Sequence, residues 1–235
     1  MGRIFEKRKY KMFARYDRMA KAFTRIGKEI AIAVKQGGPN PEYNPRLRLA
    51  IQNAKGANMP KDRVDAAIKR ASSKDEKDYQ EITYEGYGPH GVAIVIETAT
   101  DNPTRTVANI RMYFNKYNGS LGKTGSLDFL FERKGVFKIA KGDFNIEELE
   151  LELIDHGLED LAVDENEIYI YTAFSDFGAM SKALEEKKLH VISAEKQRIP
   201  NNYVDVPEPQ QKEVLELIES LEQDEDVQQV YHNMK

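Results

Sequence analysis

The chain has 235 residues, enough for two or three domains of ordinary size. Its 40% hydrophobic and 31% charged residues suit a folded globular protein, and no apolar run approaches the ~18–20 residues of a membrane span. The absence of Cys excludes disulfides, thiolate nucleophiles and Cys-ligated zinc.

The net charge of −4 hides a split. Residues 1–74 carry 19 Lys/Arg against 6 Asp/Glu, a net of +13, and the remaining 161 carry 16 against 33, a net of −17. Such one-sidedness points to a nucleic-acid partner for the basic end. The plainer alternative is a solvated basic face without a ligand. The N-terminus lacks the apolar core of a signal peptide. Glu6 and Asp17, with no Ser nearby, set it apart from a mitochondrial transit peptide, so the expected location is the cytoplasm.

Residues 3–18 interleave Arg3, Lys7, Arg8, Lys9, Lys11, Arg15 and Arg18 with Phe5, Tyr10, Phe13 and Tyr16. Cations between aromatics suit a phosphate backbone with exposed bases. Packing of those rings on neighbouring helices is the alternative. From Met19 a helical period is clear: Met19, Phe23, Ile26, Ile30 and Ala33 share one face, with Arg18, Lys21, Arg25, Lys28 and Lys35 roughly opposite. Gly37-Gly38-Pro39 stops this helix.

Asn44-Pro45 opens a second helix, Asn as N-cap and Pro at the first turn. Its apolar stripe is Leu47, Ala50, Ile51 and Ala54, with Arg46, Arg48 and Lys55 elsewhere, and Gly56 ends it. Pro60 opens a third helix with the stripe Val64, Ala67, Ile68 and Ala71 and the cations Lys61, Arg63, Lys69 and Arg70. The short link at 56–59 admits a helix-turn-helix. The start of the third helix offers no Asn or Gln to read base edges, so backbone contact is the favoured reading.

Gly27-Lys28-Glu29-Ile30, Gly37-Gly38-Pro39-Asn40-Pro41-Glu42, Asn44-Pro45-Arg46-Leu47-Arg48 and the run from Lys55 through Asn58-Met59-Pro60-Lys61-Asp62 resemble the amino-terminal signature of the YebC family. Tyr84-Glu85-Gly86-Tyr87-Gly88-Pro89, Gly91-Val92-Ala93, Thr100-Asp101-Asn102 and Arg105-Thr106 extend the resemblance over nearly the whole chain. One departure is the start, Gly2-Arg3-Ile4-Phe5-Glu6, where many members have Gly-His-Ser-Lys-Trp. The resemblance implies a three-domain, DNA-binding transcriptional regulator. It also implies kinship with mitochondrial translational activators and with factors acting on ribosomes held up at proline-rich stretches.

Residues 72–78 form a charged link and a domain boundary. Beyond it, Val92–Thr100 is a β-branched strand, Asn102-Pro103 caps a helix to Tyr117 (Val107, Ile110, Met112, Tyr113 and Phe114 as buried candidates), and Leu127–Phe131 reads as a short strand. A strand from Gly135, a helix at 146–156, strands at 162–163 and 168–171, a helix at 175–187 and a strand at 191–199 make a whole βαββαβ set. A helix at 210–221, with Leu215, Ile218 and Leu221 inward, and a strand at 227–231 follow.

The expected fold is therefore multi-domain α+β. A basic three-helix domain (1–74) precedes two ferredoxin-like βαββαβ domains, one discontinuous (79–133 plus 201–235) and one inserted in it (134–200).

Nothing calls for catalysis or a cofactor. His90, His156, His190 and His232 lack metal-ligand spacing. Gly122-Lys123-Thr124 mimics the tail of a P-loop, but Tyr117 stands where its first Gly belongs, and the predicted order is helix–loop–strand. Tyr84, Gly86, Tyr87, Gly88 and His90 form a loop that either faces a partner or makes a tight turn. The function expected is a non-enzymatic, nucleic-acid-binding regulator. It would be monomeric, with DNA and/or ribosomal or transfer RNA as ligand and the ribosome as a further partner. A protein-interaction module working through the acidic body is the alternative.

Overall fold

The structure, a computed structural model, describes residues 3–73, 78–164 and 166–235, with side chains from residue 20 onward. The chain divides into two compact units, Met1–Tyr79 and Gln80–Lys235.

The first unit is helical. α1 runs from Arg3 to Gly37, so the basic arm and the periodic helix from Met19 are one element. Gly38 (φ +84°) ends it, its amide returning to the Val34 carbonyl at 2.8 Å. α2 spans Pro45–Gly56 and α3 Lys61–Ala71. The Asn44 side chain accepts from Leu47 N at 3.0 Å, the expected cap. Ile30, Ala33, Val34, Leu47, Ala50, Ala54, Val64 and Ala71 form the core, with Ile26, Ile51, Ala67 and Ile68 partly buried around it. Most of these are small side chains, so the helices approach closely while offering only a modest apolar area.

The second unit is mixed α+β, built on two four-stranded antiparallel sheets. One has the order β3-β1-β2-β8, from Ser120–Leu121, Gln80–Tyr87, Ala93–Thr100 and Val227–His232. Helices α4 (Pro103–Lys116) and α7 (Glu208–Gln223) cover it, with Ile94, Ile96, Ile110, Phe114, Val214, Leu217, Leu221 and Val227 in the shared core. The other has the order β5-β6-β4-β7, from Leu158–Val163, Glu167–Ala173, Phe131–Ala140 and Val191–Pro200. α5 (Ile146–Ile154) and α6 (Phe177–Glu186) bury Leu149, Leu153, Met180 and Leu184, and the Phe137 and Phe177 rings stack at 4.7 Å. Arg198, buried on β7, joins the two sheets by ion pairs to Glu97 (3.0 Å) and Asp128 (3.4 Å).

Several sequence expectations need correction. β1 was not anticipated: its polar start and penultimate glycine hide a strand that pairs with β2 along its whole length. Gly86 therefore belongs to a strand. A Cβ there would lie 2.5 Å from the Ser120 carbonyl oxygen and 2.8 Å from the Phe114 ring, so the glycine serves internal packing.

Leu127–Phe131 is not a strand. Residues 128–130 form a 3-10 turn and β4 opens at Phe131. The buried Glu85 carboxylate accepts from Gly125 N (2.8 Å) and Leu127 N (2.6 Å), which pulls this backbone away from any ladder. Leu215 is half exposed, because the inward stripe of α7 is Val214, Leu217, Ile218 and Leu221. Met112 likewise points outward.

Candidate nucleic-acid interface

Helix geometry decides which of α1's cations can act together. At 100° per residue, Lys21, Arg25, Lys28 and Lys35 fall within an arc of about 80°, and the buried Ile30, Ala33 and Val34 lie on the far side. The last residue of the charged link and the one after it come onto this face. Lys28 Nζ lies 5.4 Å from the Tyr79 ring centre, and Lys35 Nζ lies 3.2 Å from Asp78 Oδ1. Asp78 is largely exposed, so that ion pair adds little stability and yields readily to a competing anion. Arg3, Lys7, Arg8, Lys9, Lys11, Arg15 and Arg18 belong to the same helix by backbone. Their side chains, and those of the interleaved aromatics, lie outside the described residues.

Two of the expected phosphate contacts have internal work. Arg46 Nε and Nη2 donate to the two Glu29 oxygens at 2.9 and 3.3 Å, and Nη1 donates to Gln36 Oε1 at 2.9 Å. This two-pronged pairing clips α2 to α1. Arg48 Nη1 donates to the carbonyls of Pro41 (2.8 Å) and Glu42 (2.9 Å) and so braces the α1–α2 connection. Lys55, Lys61, Arg63, Lys69 and Arg70 are exposed around the rims of α2 and α3. Arg63 and Arg70, seven residues apart, project from one flank of α3 within about 20° of each other; Lys61 and Lys69 project from the other. Arg63 lies over the Phe23 ring at 5.8 Å, which ties its flank to α1.

The end of β1 and the loop after it carry less than the sequence suggested. Gly86, Gly88 and Pro89 are buried. Tyr84 packs on the sheet core, and burial pushes its hydroxyl pKa up, with the Asp226 charge adding to the shift. Tyr87 is exposed, and His90 (φ 61°) faces Glu213, Nε2 to Oε2 at 3.1 Å. Gly122 N of the Gly122-Lys123-Thr124 segment donates to the Glu85 carbonyl at 2.7 Å, and the amides just beyond it, Gly125 N and Leu127 N, are taken by the Glu85 carboxylate, so the loop is held by the protein's own groups.

The sequence reading missed a buried polar centre. Asp226 accepts from Arg105 Nη2 (2.7 Å), Thr106 Oγ1 (2.9 Å) and Thr100 Oγ1 (3.2 Å). Asp224 next to it accepts from Asn109 (3.0 Å) and Tyr113 (3.3 Å). Hydrogen bonds to Asp226 and Asp101 hold the Arg105 guanidinium firmly protonated. The only signal in the sequence was the Thr100-Asp101-Asn102…Arg105-Thr106 string, whose partner lies 120 residues downstream. Among the described residues no group of His, Asp and Glu could hold a metal ion, and no helix is long and apolar enough to cross a membrane.

Residues 3–74 match the model for the TACO1/YebC protein N-terminal domain, and residues 79–234 match that for the TACO1/YebC second and third domain. A protein of Cytophaga hutchinsonii is 62% identical over 234 residues, covering 100% of this chain and 98% of its own. One of Parabacteroides distasonis is 57% identical, covering 100% of this chain and 97% of its own. Both bear the name "probable transcriptional regulatory protein". A crystal structure of a conserved hypothetical protein of Aquifex aeolicus matches with a TM-score of 0.80 at 37% identity, covering 92% of this chain and 90% of that one.

Proposed function

The chain belongs to the TACO1/YebC family, and on that premise we propose that it is a non-enzymatic, nucleic-acid-binding regulator of gene expression. The observation that carries the reading is the charge split, +13 over residues 1–74 against −17 beyond, together with the basic arc of α1. The first domain lays that arc and the rims of α2 and α3 along phosphate, while the same polyanion repels the acidic body. The exposed positions of α3 offer cations and carboxylates, with no Asn or Gln to read base edges, which favours recognition of backbone and shape over sequence.

The ligand in this reading is DNA and/or ribosomal or transfer RNA, met as a cytoplasmic monomer, with the ribosome as a further partner. We also read each sheet as a ferredoxin-like domain, the third (134–200) inserted in the second (79–133 plus 201–235). What supports this is that β8 joins the sheet of β1 and β2, while residues 131–200 supply a sheet of their own.

Salt titration of the full chain on duplex DNA and on structured RNA tests the binding. About 6–8 phosphate contacts give a log–log slope of roughly −5 to −7 on B-DNA. Replacing Lys21, Arg25 and Lys28 together by Gln should flatten the slope by nearly three. Binding that ignores salt, or survives the triple change untouched, would mean the acidic body does the work and the protein-interaction reading is right.

A further inference from the structure

The connection between α1 and α2 is short, and its backbone is held from several sides. Asn44, 3% exposed, donates from Nδ2 to the Ala33 (2.7 Å) and Gly38 (2.9 Å) carbonyls while its Oδ1 caps α2. Asn40 Oδ1 accepts from Glu42 N at 2.9 Å. Arg48 grips the Pro41 and Glu42 carbonyls from the α2 side. Pro39, Pro41 and Pro45 remove further freedom. The backbone on both sides of Tyr43 is thereby held, and the Tyr43 amide itself donates to the Asn40 carbonyl at 3.3 Å.

Tyr43 itself is 80% exposed. Among the described residues none hydrogen-bonds to its hydroxyl or stacks on its ring. A large aromatic has therefore been set in water on a rigid mount, inside the most basic third of the chain and five residues from Arg48. Such a ring loses little freedom on binding, because the mount is already ordered and only two side-chain torsions remain. Flat π-faces in a cationic setting bind bases that are free of a duplex stack. Bases inside a continuous duplex present no face to such a ring.

We propose that Tyr43 stacks on an unpaired nucleobase, so that the basic domain prefers single-stranded or looped nucleic acid to continuous duplex. The inference rests on the proposal that this domain meets phosphate, and it adds what the cations alone cannot supply, a preference for strands with open bases.

The chain contains no Trp, so Tyr43→Trp installs a sole indole reporter at the site. The full-length variant is titrated with a single-stranded RNA, with the DNA of the same sequence, and with each strand annealed to its complement. Stacking predicts strong quenching by the single strands and little change with the duplexes. Tyr43→Ala should weaken single-strand binding about tenfold and leave duplex affinity and salt slope unaltered, since no charge is lost. A larger response to RNA assigns the base to RNA; equal responses assign it to any open strand. An unresponsive indole, or equal losses on strand and duplex, overturns this inference while phosphate binding by the unaltered chain still stands. If the unaltered chain binds no nucleic acid at all, the functional reading falls first and takes this one with it.

Discussion

In the helical unit the cations surround a core of small aliphatic side chains: Arg46 on Glu29 and Arg48 on the α1–α2 connection hold the helices together, while Lys55, Lys61, Arg63, Lys69 and Arg70 are exposed on α2 and α3. In the α+β unit the charges meet one another. Lys134 sits between Glu132 and Glu159, Lys138 pairs with Glu167, Lys187 with Glu152, and Arg198 is buried against Glu97. The Lys138 hydrogen bond holds the Glu167 carboxyl below its usual range, as expected of an internal pair. Residues of the same type thus stand exposed along α2 and α3 in one unit and stitch the structure in the other. Composition reports the net charge of each, but only the partners distinguish a surface that is available from one already matched.

The largest effect should come from the core that joins the distant segments of the first sheet. Leu217 is fully buried between α7 and β2, whereas Leu215, two residues away, is half exposed. A carboxylate at 217 has no partner, and Leu217→Asp should cost several kcal/mol. Leu215→Asp should fall within about 0.5 kcal/mol. Chemical denaturation of the pair checks this, and hydrogen exchange should show protection lost in residues 93–100 as well as 227–232. If only 208–232 loosened, the view that these segments form one cooperative core would fail.

Next in size is the charge that is internal in every sense. Asp226→Ala removes the buried acceptor of Thr100 Oγ1 and one acceptor of Thr106 Oγ1, and leaves Arg105 with Asp101 alone. The expected cost is about 3 kcal/mol, at the low end for breaking a buried pair. The salt slope of nucleic-acid binding, measured below the unfolding transition, should not move, because this charge is not on the proposed phosphate-facing surface. A changed slope would break the division between the two units.

A smaller effect is set by pH. His232 lies on β8 with Nδ1 buried and without a hydrogen-bond partner among the described residues, and burial lowers its pKa from the ordinary 6.5. The unfolded chain then binds the proton more readily than the folded one. Stability should be complete above the ordinary imidazole value and decline as pH falls below it toward the depressed folded value. His232→Gln should flatten that decline, read as urea midpoints at pH 7 and pH 5.5, while Asn44→Ala, a variant of the helical unit, should leave it in place.

Much of this arrangement was legible in the residues. Helix caps such as Asn44 and Asn102 act through neighbours three residues away, so their role is written locally, and both cap as expected. The α1 faces follow from the helical period alone. What was hidden depends on distant partners. β1 is polar and becomes a strand only because β2 and β3 flank it. The false strand at 127–131 traces to the Glu85 carboxylate some 40 residues upstream, which takes the Gly125 and Leu127 amides. Among the candidate cations, Arg46 and Arg48 look like any others in sequence, and their engagement is visible only once α1 and the connection fold against them.

The smallest expected effect bears most directly on which cations meet the ligand. α3 offers two flanks, and a single rigid backbone cannot lie along both. Arg63 rests on Phe23 of α1, so the flank it shares with Arg70 is tied to the apolar face of α1, while Lys61 and Lys69 project from the other flank. Replacing Arg63 and Arg70 by Ala should therefore lower the salt slope by nearly two, about 0.9 per phosphate contact on B-DNA, whereas replacing Lys61 and Lys69 should leave it almost unchanged. The loss should be similar on every sequence tested, since phosphate oxygens position a protein without reporting base identity. A guanine-reading arginine on this flank predicts a different pattern: a loss of about 1–3 kcal/mol confined to one cognate site. Binding-site selection with the two double variants separates these outcomes. A sharp consensus that collapses when Arg63 and Arg70 are removed would make α3 a recognition helix. The basic unit would then be a sequence reader, and its contrast with the acidic unit would be one of specificity as well as of charge.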